Sequence, residues 1–465
     1  MRTISKHQAD LFLSLLKERN IEIHSLCLYQ DGALLLDDTF EPFQRGALHP
    51  LYSITKSFTS IAIGLLIQDH KLQLEDRWCD FFPEYKEKIT DPKFLSVTIK
   101  DLLTMTLGQD REVTVESGDD WIENILSKPL AYRPSEKFFY NSMCSMLLSV
   151  LIQKLTGCKE ADFLDQRIFQ PLRIHNWYWE EDEQGHSIGG YGLHLEIHDL
   201  LKFGIFLLKE GKYNGVKLLD PEWIHTATSH QVDTKEYFSS VRNEDRQGYG
   251  FHFWMCTHGA YRCSGMFGQI CLIIPDERIV LAVNSSTTGS QPILDCFFEA
   301  YDHPNENILH TYHIDLPNGN SVSPWSKLLF GTFQNCDSNN PCFLKINQIS
   351  NLIDLEWNSK EQTKKLSCGF NKWIQQSDTY SSAGNFILQP EMKKINVNRC
   401  LYASYAWPSD TMLMIDVRAD DYSGRERILL QLDGKYLKIP FCTVLVNLSL
   451  EPLSHAVLRN SNLDI

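Results

Sequence analysis

In the first twenty positions, MRTISKHQADLFLSLLKERN, the apolar residues Leu11, Phe12, Leu15 and Leu16 recur at helical spacing between charged ones. That pattern predicts an amphipathic, packed helix. Apolar stretches at 21–29 and 33–36 follow, joined through Gln30-Asp31-Gly32, and Asp-Gly favours a tight hairpin turn. Residues 53–67, SITKSFTSIAIGLLI, are apolar nearly all round, as expected of a helix at the centre of a large core. Helical periodicity returns at 98–106, 142–155 (closed by Gly157), 159–169, 196–209 (closed by Gly211) and 220–229, the last opened by Asp-Pro-Glu. Strand signals resume at 248–256, 259–264, 270–274 and 278–284.

Strands, then helices, then strands is the order of an α+β domain whose single antiparallel sheet receives a helical insertion. The expected first domain is 1–302. Residues 303–341 are rich in Asn, Pro, Ser and Gly and read as a linker with room for one short helix. From 342 to 465, apolar and polar residues alternate at 343–349, 353–357, 401–407, 411–418, 427–432 and 437–439, which predicts a small all-β domain.

Composition narrows the function classes. With 43% hydrophobic residues in 465, the chain can fill a sizeable core. Its 44 Lys and Arg against 59 Asp and Glu leave a net charge of −15, which repels phosphate backbones and argues against a nucleic-acid partner. The N-terminus lacks the apolar core of a secretory signal, and the longest apolar run, 61–67, is far below the ~18 residues of a membrane span. Thirteen cysteines, scattered without CxxC spacing, point to reduced thiols and a cytoplasmic protein. No zinc-ligand spacing appears, so neither metal nor cofactor is expected.

The sharpest chemical feature is Ser53-Ile54-Thr55-Lys56. Residues at i and i+3 share a helix face, so a lysine can reach the serine hydroxyl, and a helix start offers backbone N–H groups to a developing oxyanion. Locally, the same residues also fit an N-cap serine and a lysine that snorkels to solvent. Roughly one or two such matches arise by chance in a chain this long, and Ser14-Leu15-Leu16-Lys17 is one, on a surface helix. Gly185-His186-Ser187-Ile188-Gly189 matches the G-x-S-x-G elbow, but no strand leads into it and glycines follow, so it reads as a loop.

These motifs, taken in order, resemble the serine β-lactamase-like hydrolases: class C β-lactamases, low-molecular-mass penicillin-binding proteins, D-aminopeptidases and related esterases. LYSITKSFTSIAIGLLIQDHKLQLEDRWCDFFPEY is similar to the family's nucleophile helix, and VTIKDLLTMTLG to the helix after it. FFYNSMCSMLLSVLIQKLTG resembles the tyrosine motif, and Cys263-Ser264-Gly265 falls at the Lys/His-x-Gly edge-strand motif. The likeness spans about 21–287 and implies the family's fold, with Ser53 as nucleophile, Lys56 between Ser53 and Tyr140, and Tyr140 as general base and acid. The oxyanion hole would be the N–H groups of Ser53 and Met266. Asn141, Ser142, Cys263, Ser264 and Gly265 would line the substrate site. The C-terminal segment resembles the accessory β domain of such hydrolases, which could cover the cleft or pair two copies as a homodimer.

Two positions depart from the family pattern. Ser142 stands where Asn is common, and Cys263 replaces the cation that would hold a substrate carboxylate. Cys263 is expected to be a small pocket-lining side chain, and strand alternation turns Arg262 to the other face. The expected activity is hydrolysis of an ester or amide of a small molecule or short peptide through an acyl-serine. β-Lactamase or D-aminopeptidase activity, and a catalytically silent binding relative, stand as alternatives.

Overall fold

The computed structural model describes every residue except 1, 112, 114–119, 239–241, 325–330, 336–342, 359–362, 383–394, 421, 434–435, 443–456 and 461–465. The chain forms two units, Met1–Tyr312 with Ser381–Asn396, and His313–Tyr380 with Val397–Ile465.

In the first unit, Ser5 and Gln8 make a reciprocal capping box that starts the Lys6–Glu18 helix. The strands Glu22–Gln30 and Ala33–Thr39 then pair through the two-residue turn Asp31-Gly32, both at positive φ (46° and 96°), a conformation Asp-Gly adopts cheaply. The Glu22–Gln30 strand also pairs with Ile279–Ser286, so early and late strands of Met1–Tyr312 close one sheet around the helical insertion. Its order is Ala33–Thr39, Glu22–Gln30, Ile279–Ser286, Gln269–Ile274, Tyr261–Gly265, Trp254–Met255.

Alternation along these strands divides their side chains between two cores. Ile270, Leu272, Leu281 and Val283 belong to the core that includes the Lys6–Glu18 and Gln291–Asp302 helices. Cys263, Cys271, Ile273, Val280 and Ala282 belong to the larger core of the helical region. The Thr55–Gln68 helix runs through that core, buried without interruption from Thr55 to Leu66. Phe58 stacks on Phe203 with ring centroids 3.8 Å apart. Gly64 lies so close to the Trp223 ring that a Cβ would come within 2.4 Å of it.

Several elements are shorter than their sequence signal. The strand expected at 248–256 is reduced to Trp254–Met255, because Gly248 (φ 110°) and His252 (φ 64°) turn the chain and Gly250 is pressed against the Ala227 carbonyl. The helix expected at 98–106 is Ile99–Leu103, capped by Thr98 with Asp101 and followed by Met105 at φ 59°. Segment 159–169 is the helix Glu160–Leu164 followed by a π-type turn, Asp165–Phe169.

The second unit contains a ten-stranded sheet in which Gly369 and Phe370 also pair in parallel with Ser404 and Tyr405, curling the sheet back on itself. Leu344, Ile353, Trp357, Leu366, Ile415, Val417 and Leu430 fill its core. Its strand Gly331–Asn335 falls inside the expected linker, where GTFQN carries a single large apolar residue and gives almost no alternation to read. Residues 325–330 and 336–341 of that linker lie outside the described set. Among the described residues no helix is long and apolar enough to cross a membrane.

Candidate active site

Ser53 sits on a turn held from two sides. Leu51 N–H donates to Leu193 O at 2.9 Å, and the chain then passes through Tyr52 at φ 49° into the 3₁₀ turn Tyr52–Ile54 and the Thr55–Gln68 helix. A non-glycine residue in the left-handed region costs about 1–2 kcal/mol. The Tyr52 ring packs edge-on against Phe267, itself at φ 59°, with centroids 5.4 Å apart. The helix N-cap is Ile54, without a side-chain cap bond, so Ser53 does not serve as the cap.

Lys56 is 1% exposed and does not snorkel. Its Nζ donates to Ser53 Oγ at 2.9 Å, Ser142 Oγ at 3.1 Å and Gly190 O at 2.6 Å. An ammonium has three donors and no acceptor, and each donor here meets an oxygen. Those bonds offset the cost of burying the charge.

Tyr140 precedes the Ser142–Thr156 helix and stands half-buried, with Lys56 Nζ 5.0 Å from its ring centroid. The ring stacks on Trp254 at 5.4 Å and meets Tyr249 edge-on at 6.2 Å. Burial, then the neighbouring Tyr140, pushes the fully buried Tyr249 phenol well above its ordinary range.

Asn141 and Ser142 separate in role. Asn141 Oδ1 accepts from Met143 N at 2.9 Å as the helix cap, and its Nδ2 donates to Gln109, so the expected substrate-lining amide is spent inside the fold. Ser142, one residue on, turns its hydroxyl to Lys56.

On the third-motif strand, Cys263 is fully buried beside its cross-strand partner Cys271. It belongs to the larger core, its side chain closed off from solvent. Arg262, on the opposite face, is also fully buried, ion-paired with Asp245 and donating to Glu244 O at 3.0 Å. Ser264 is half-buried. A Cβ at Gly265 would lie 2.3 Å from Leu51 O, so only glycine lets this strand meet the Ser53 turn. Met266 follows directly and opens the turn Met266–Gly268.

Other polar groups at the site escaped the sequence reading. Gly189 O accepts from Thr59 Oγ1 at 2.8 Å, which places the glycine-rich loop after residue 187 against the nucleophile helix. His252 Nδ1 faces Lys56 O at 3.0 Å and its Nε2 faces Leu102 O at 3.3 Å. Burial lowers this imidazole to about 3, with the Lys56 charge adding to the effect, so it stays neutral. Glu160 is fully buried beside Gly189, with the Ser149 and Thr59 hydroxyls as its polar neighbours. Burial raises it to about 7. A signal for this seam exists in the sequence: Thr55, Lys56 and Thr59, and likewise Ser142, Ser145 and Ser149, recur at helical spacing inside otherwise apolar helices.

Both decoy serines serve the fold. Ser14 is buried, its Oγ accepting from Leu309 N and His310 N at 3.0 Å each, and Ser187 Oγ accepts from Ala161 N at 3.2 Å.

The profile of the family described as Beta-lactamase matches residues 9–295, more than half of the sequence. The chain belongs to the beta-lactamase family. Within it, the protein is 27% identical to Protein flp of Staphylococcus aureus (strain MW2) over 155 residues, 31% of each chain. It is likewise 27% identical to penicillin-binding protein 4* of Bacillus subtilis (strain 168) over 183 residues, 34% of this chain and 38% of that one. The chain thus spans about a third of the length of the curated relatives it matches. Among solved structures, the octameric penicillin-binding protein homologue of Pyrococcus abyssi superposes with a TM-score of 0.51 at 15% identity, covering 97% of this chain and 98% of that one. EstCE1, a hydrolase with promiscuous acyltransferase activity, gives 0.53 at 15% identity over 63% of this chain and 98% of its own. At these identities the structures establish the beta-lactamase fold.

Proposed function

We propose that this beta-lactamase-family protein is a serine hydrolase that cleaves an ester or amide of a small molecule or short peptide through an acyl-serine. The observation that carries the reading is the buried Lys56 ammonium, 2.9 Å from Ser53 Oγ and facing the Tyr140 ring. With its three N–H bonds directed to oxygens, Lys56 acts as a fixed positive charge, and Tyr140 is the proton carrier. As phenolate, Tyr140 takes the Ser53 proton while Oγ attacks the carbonyl carbon. The tetrahedral oxyanion is held by the N–H groups of Ser53 and Met266, one such donor being worth about 3 kcal/mol. Collapse breaks the bond to the leaving group, which receives the Tyr140 proton. Water activated by the same phenolate then releases the acid.

The burial of Cys263 and the engagement of Arg262 with Asp245 bear on substrate choice. Neither offers a cation to a substrate carboxylate from this strand, which favours neutral acyl groups over β-lactams and carboxy-terminal peptides. Labelling with a fluorophosphonate probe tests the proposal: Ser53 is expected to react in the wild type, and Ser53→Ala to abolish labelling and turnover of p-nitrophenyl esters. Unlabelled wild-type protein would favour a silent binding relative.

A further inference from the structure

Cys27, Asp37 and His198, none of them among the residues assigned to the Ser53 site, form a second cluster in the first unit. Cys27 and Asp37 are direct cross-strand partners in the first hairpin, so their side chains share one face of the sheet. His198, in the first turn of the Ile197–Leu208 helix, meets them there. One donor atom from each residue lies within 4.8 Å of the other two. His198 Nε2 is 2.8 Å from Asp37 Oδ1, and Cys27 Sγ is 3.8 Å from the same oxygen.

We propose that these three side chains form a binding site for a thiophilic divalent transition-metal ion of the zinc type, with water as the fourth ligand. In a tetrahedral zinc site, metal–sulfur bonds of about 2.3 Å and metal–nitrogen or metal–oxygen bonds of about 2.0–2.1 Å set neighbouring donors roughly 3.3–3.7 Å apart. The His198–Asp37 and Cys27–Asp37 distances bracket that edge length and the Cys27–His198 separation is no more than 4.8 Å, so small side-chain adjustments bring the three donors to it. A thiolate and an imidazole exclude magnesium and calcium, which take oxygen ligands.

The surroundings match those of a ligand set. The other ring nitrogen of His198, Nδ1, faces Glu196 Oε2 at 4.0 Å, so this carboxylate adds negative charge beside the ring without a hydrogen bond to it. Arg45 Nη1 holds Asp37 Oδ2 at 3.1 Å and Nη2 holds the Asp37 carbonyl at 2.6 Å, leaving Oδ1 as the oxygen turned to His198 and Cys27. Asp38 and Glu196 add negative charge opposite the Arg45 cation. Cys27 is fully buried, whereas Asp37 and His198 are each 30% exposed, so an ion and its water ligand enter from the Asp37–His198 side. Binding replaces the Cys27 S–H bond with a sulfur–metal bond and releases one proton to solvent. Positions 27, 37 and 198 are too far apart in sequence for any ligand-spacing motif to reveal them.

Chelator-treated protein titrated with Co²⁺ tests the site. One equivalent is expected to produce a sulfur-to-cobalt charge-transfer band, removed in Cys27→Ser and His198→Ala and retained in Cys158→Ser. Zn²⁺ is expected to displace the cobalt and to raise the melting temperature of wild type but not of His198→Ala. Should Cys27→Ser fail to fold, His198→Ala and Asp37→Asn, at partly exposed positions, carry the test. Absence of the band in wild type, or a band unchanged in His198→Ala, overturns the proposal and leaves an ion-pair cluster joining the hairpin to the helix.

Discussion

The carbonyl oxygen of Gly190 accepts a 2.6 Å hydrogen bond from Lys56 Nζ, tying a loop more than a hundred residues downstream to the lysine beside Ser53. A carbonyl can only accept, so this contact fixes one Lys56 N–H and turns the remaining two toward Ser53 and Ser142. The orientation of the lysine is therefore set by the fold before any substrate arrives.

If Ser53, Lys56 and Tyr140 act as a unit, their losses do not add. Ser53→Ala, Lys56→Ala and Tyr140→Phe are each expected to lower ester turnover by about three orders of magnitude or more, with double variants little worse than singles. Ser142→Ala removes one bond to a charged group and is expected to cost roughly tenfold. Steady-state kinetics on p-nitrophenyl acyl esters would measure this, and additive losses would refute a common mechanism.

At Gly265 the constraint is steric. A methyl group there would stand 2.3 Å from Leu51 O, closer than any real contact, and both partners are backbone. Gly265→Ala is expected to lose about 1–3 kcal/mol of stability and to abolish fluorophosphonate labelling in the molecules that remain folded. Urea unfolding together with labelling distinguishes the two effects; a fully active, undiminished variant would show that the strand does not abut the Ser53 turn.

The absence of a free cation on the Tyr261–Gly265 strand predicts weak recognition of carboxylates. Neutral esters should be hydrolysed with higher kcat/KM than matched esters bearing a carboxylate, and nitrocefin only slowly. Rapid nitrocefin hydrolysis that disappears in Ser53→Ala would reverse this reading in favour of a β-lactamase.

Glu160 and His252 give opposite pH signatures. Burial raises Glu160 to about 7 from 4.5, so across that window the unfolded chain has released a proton the folded protein keeps, and stability falls as pH rises, by about 3 kcal/mol in all. Glu160→Gln should gain on wild type over the same interval and hold the gain above it. Burial lowers His252 to about 3 from 6.5; here the unfolded chain binds the extra proton, and stability is lost as pH falls below 6.5. Unfolding midpoints of wild type and Glu160→Gln at a series of pH values check the first sign, since a constant difference would contradict it.

The pattern of apolar positions determined much on its own. The first hairpin, the nucleophile helix and the two final strands of the first sheet follow from local rules: Asp-Gly turns, helical periodicity and alternation act over a few residues and can be read in order. Ser53-x-x-Lys56 was legible for the same reason, since i and i+3 meet on any helix. Relations between distant segments, by contrast, emerge only once the chain has packed. Nothing near Cys263 announces that its side chain enters the core beneath Cys271, that Asn141 spends its amide on a helix cap, or that Gly190 lends its carbonyl to Lys56. Nor does sequence spacing bring Cys27, Asp37 and His198 together. Short-range geometry is encoded in neighbouring residues, whereas the partners of a buried charge or thiol depend on which helices and loops pack across it, and that choice is made by the whole core at once.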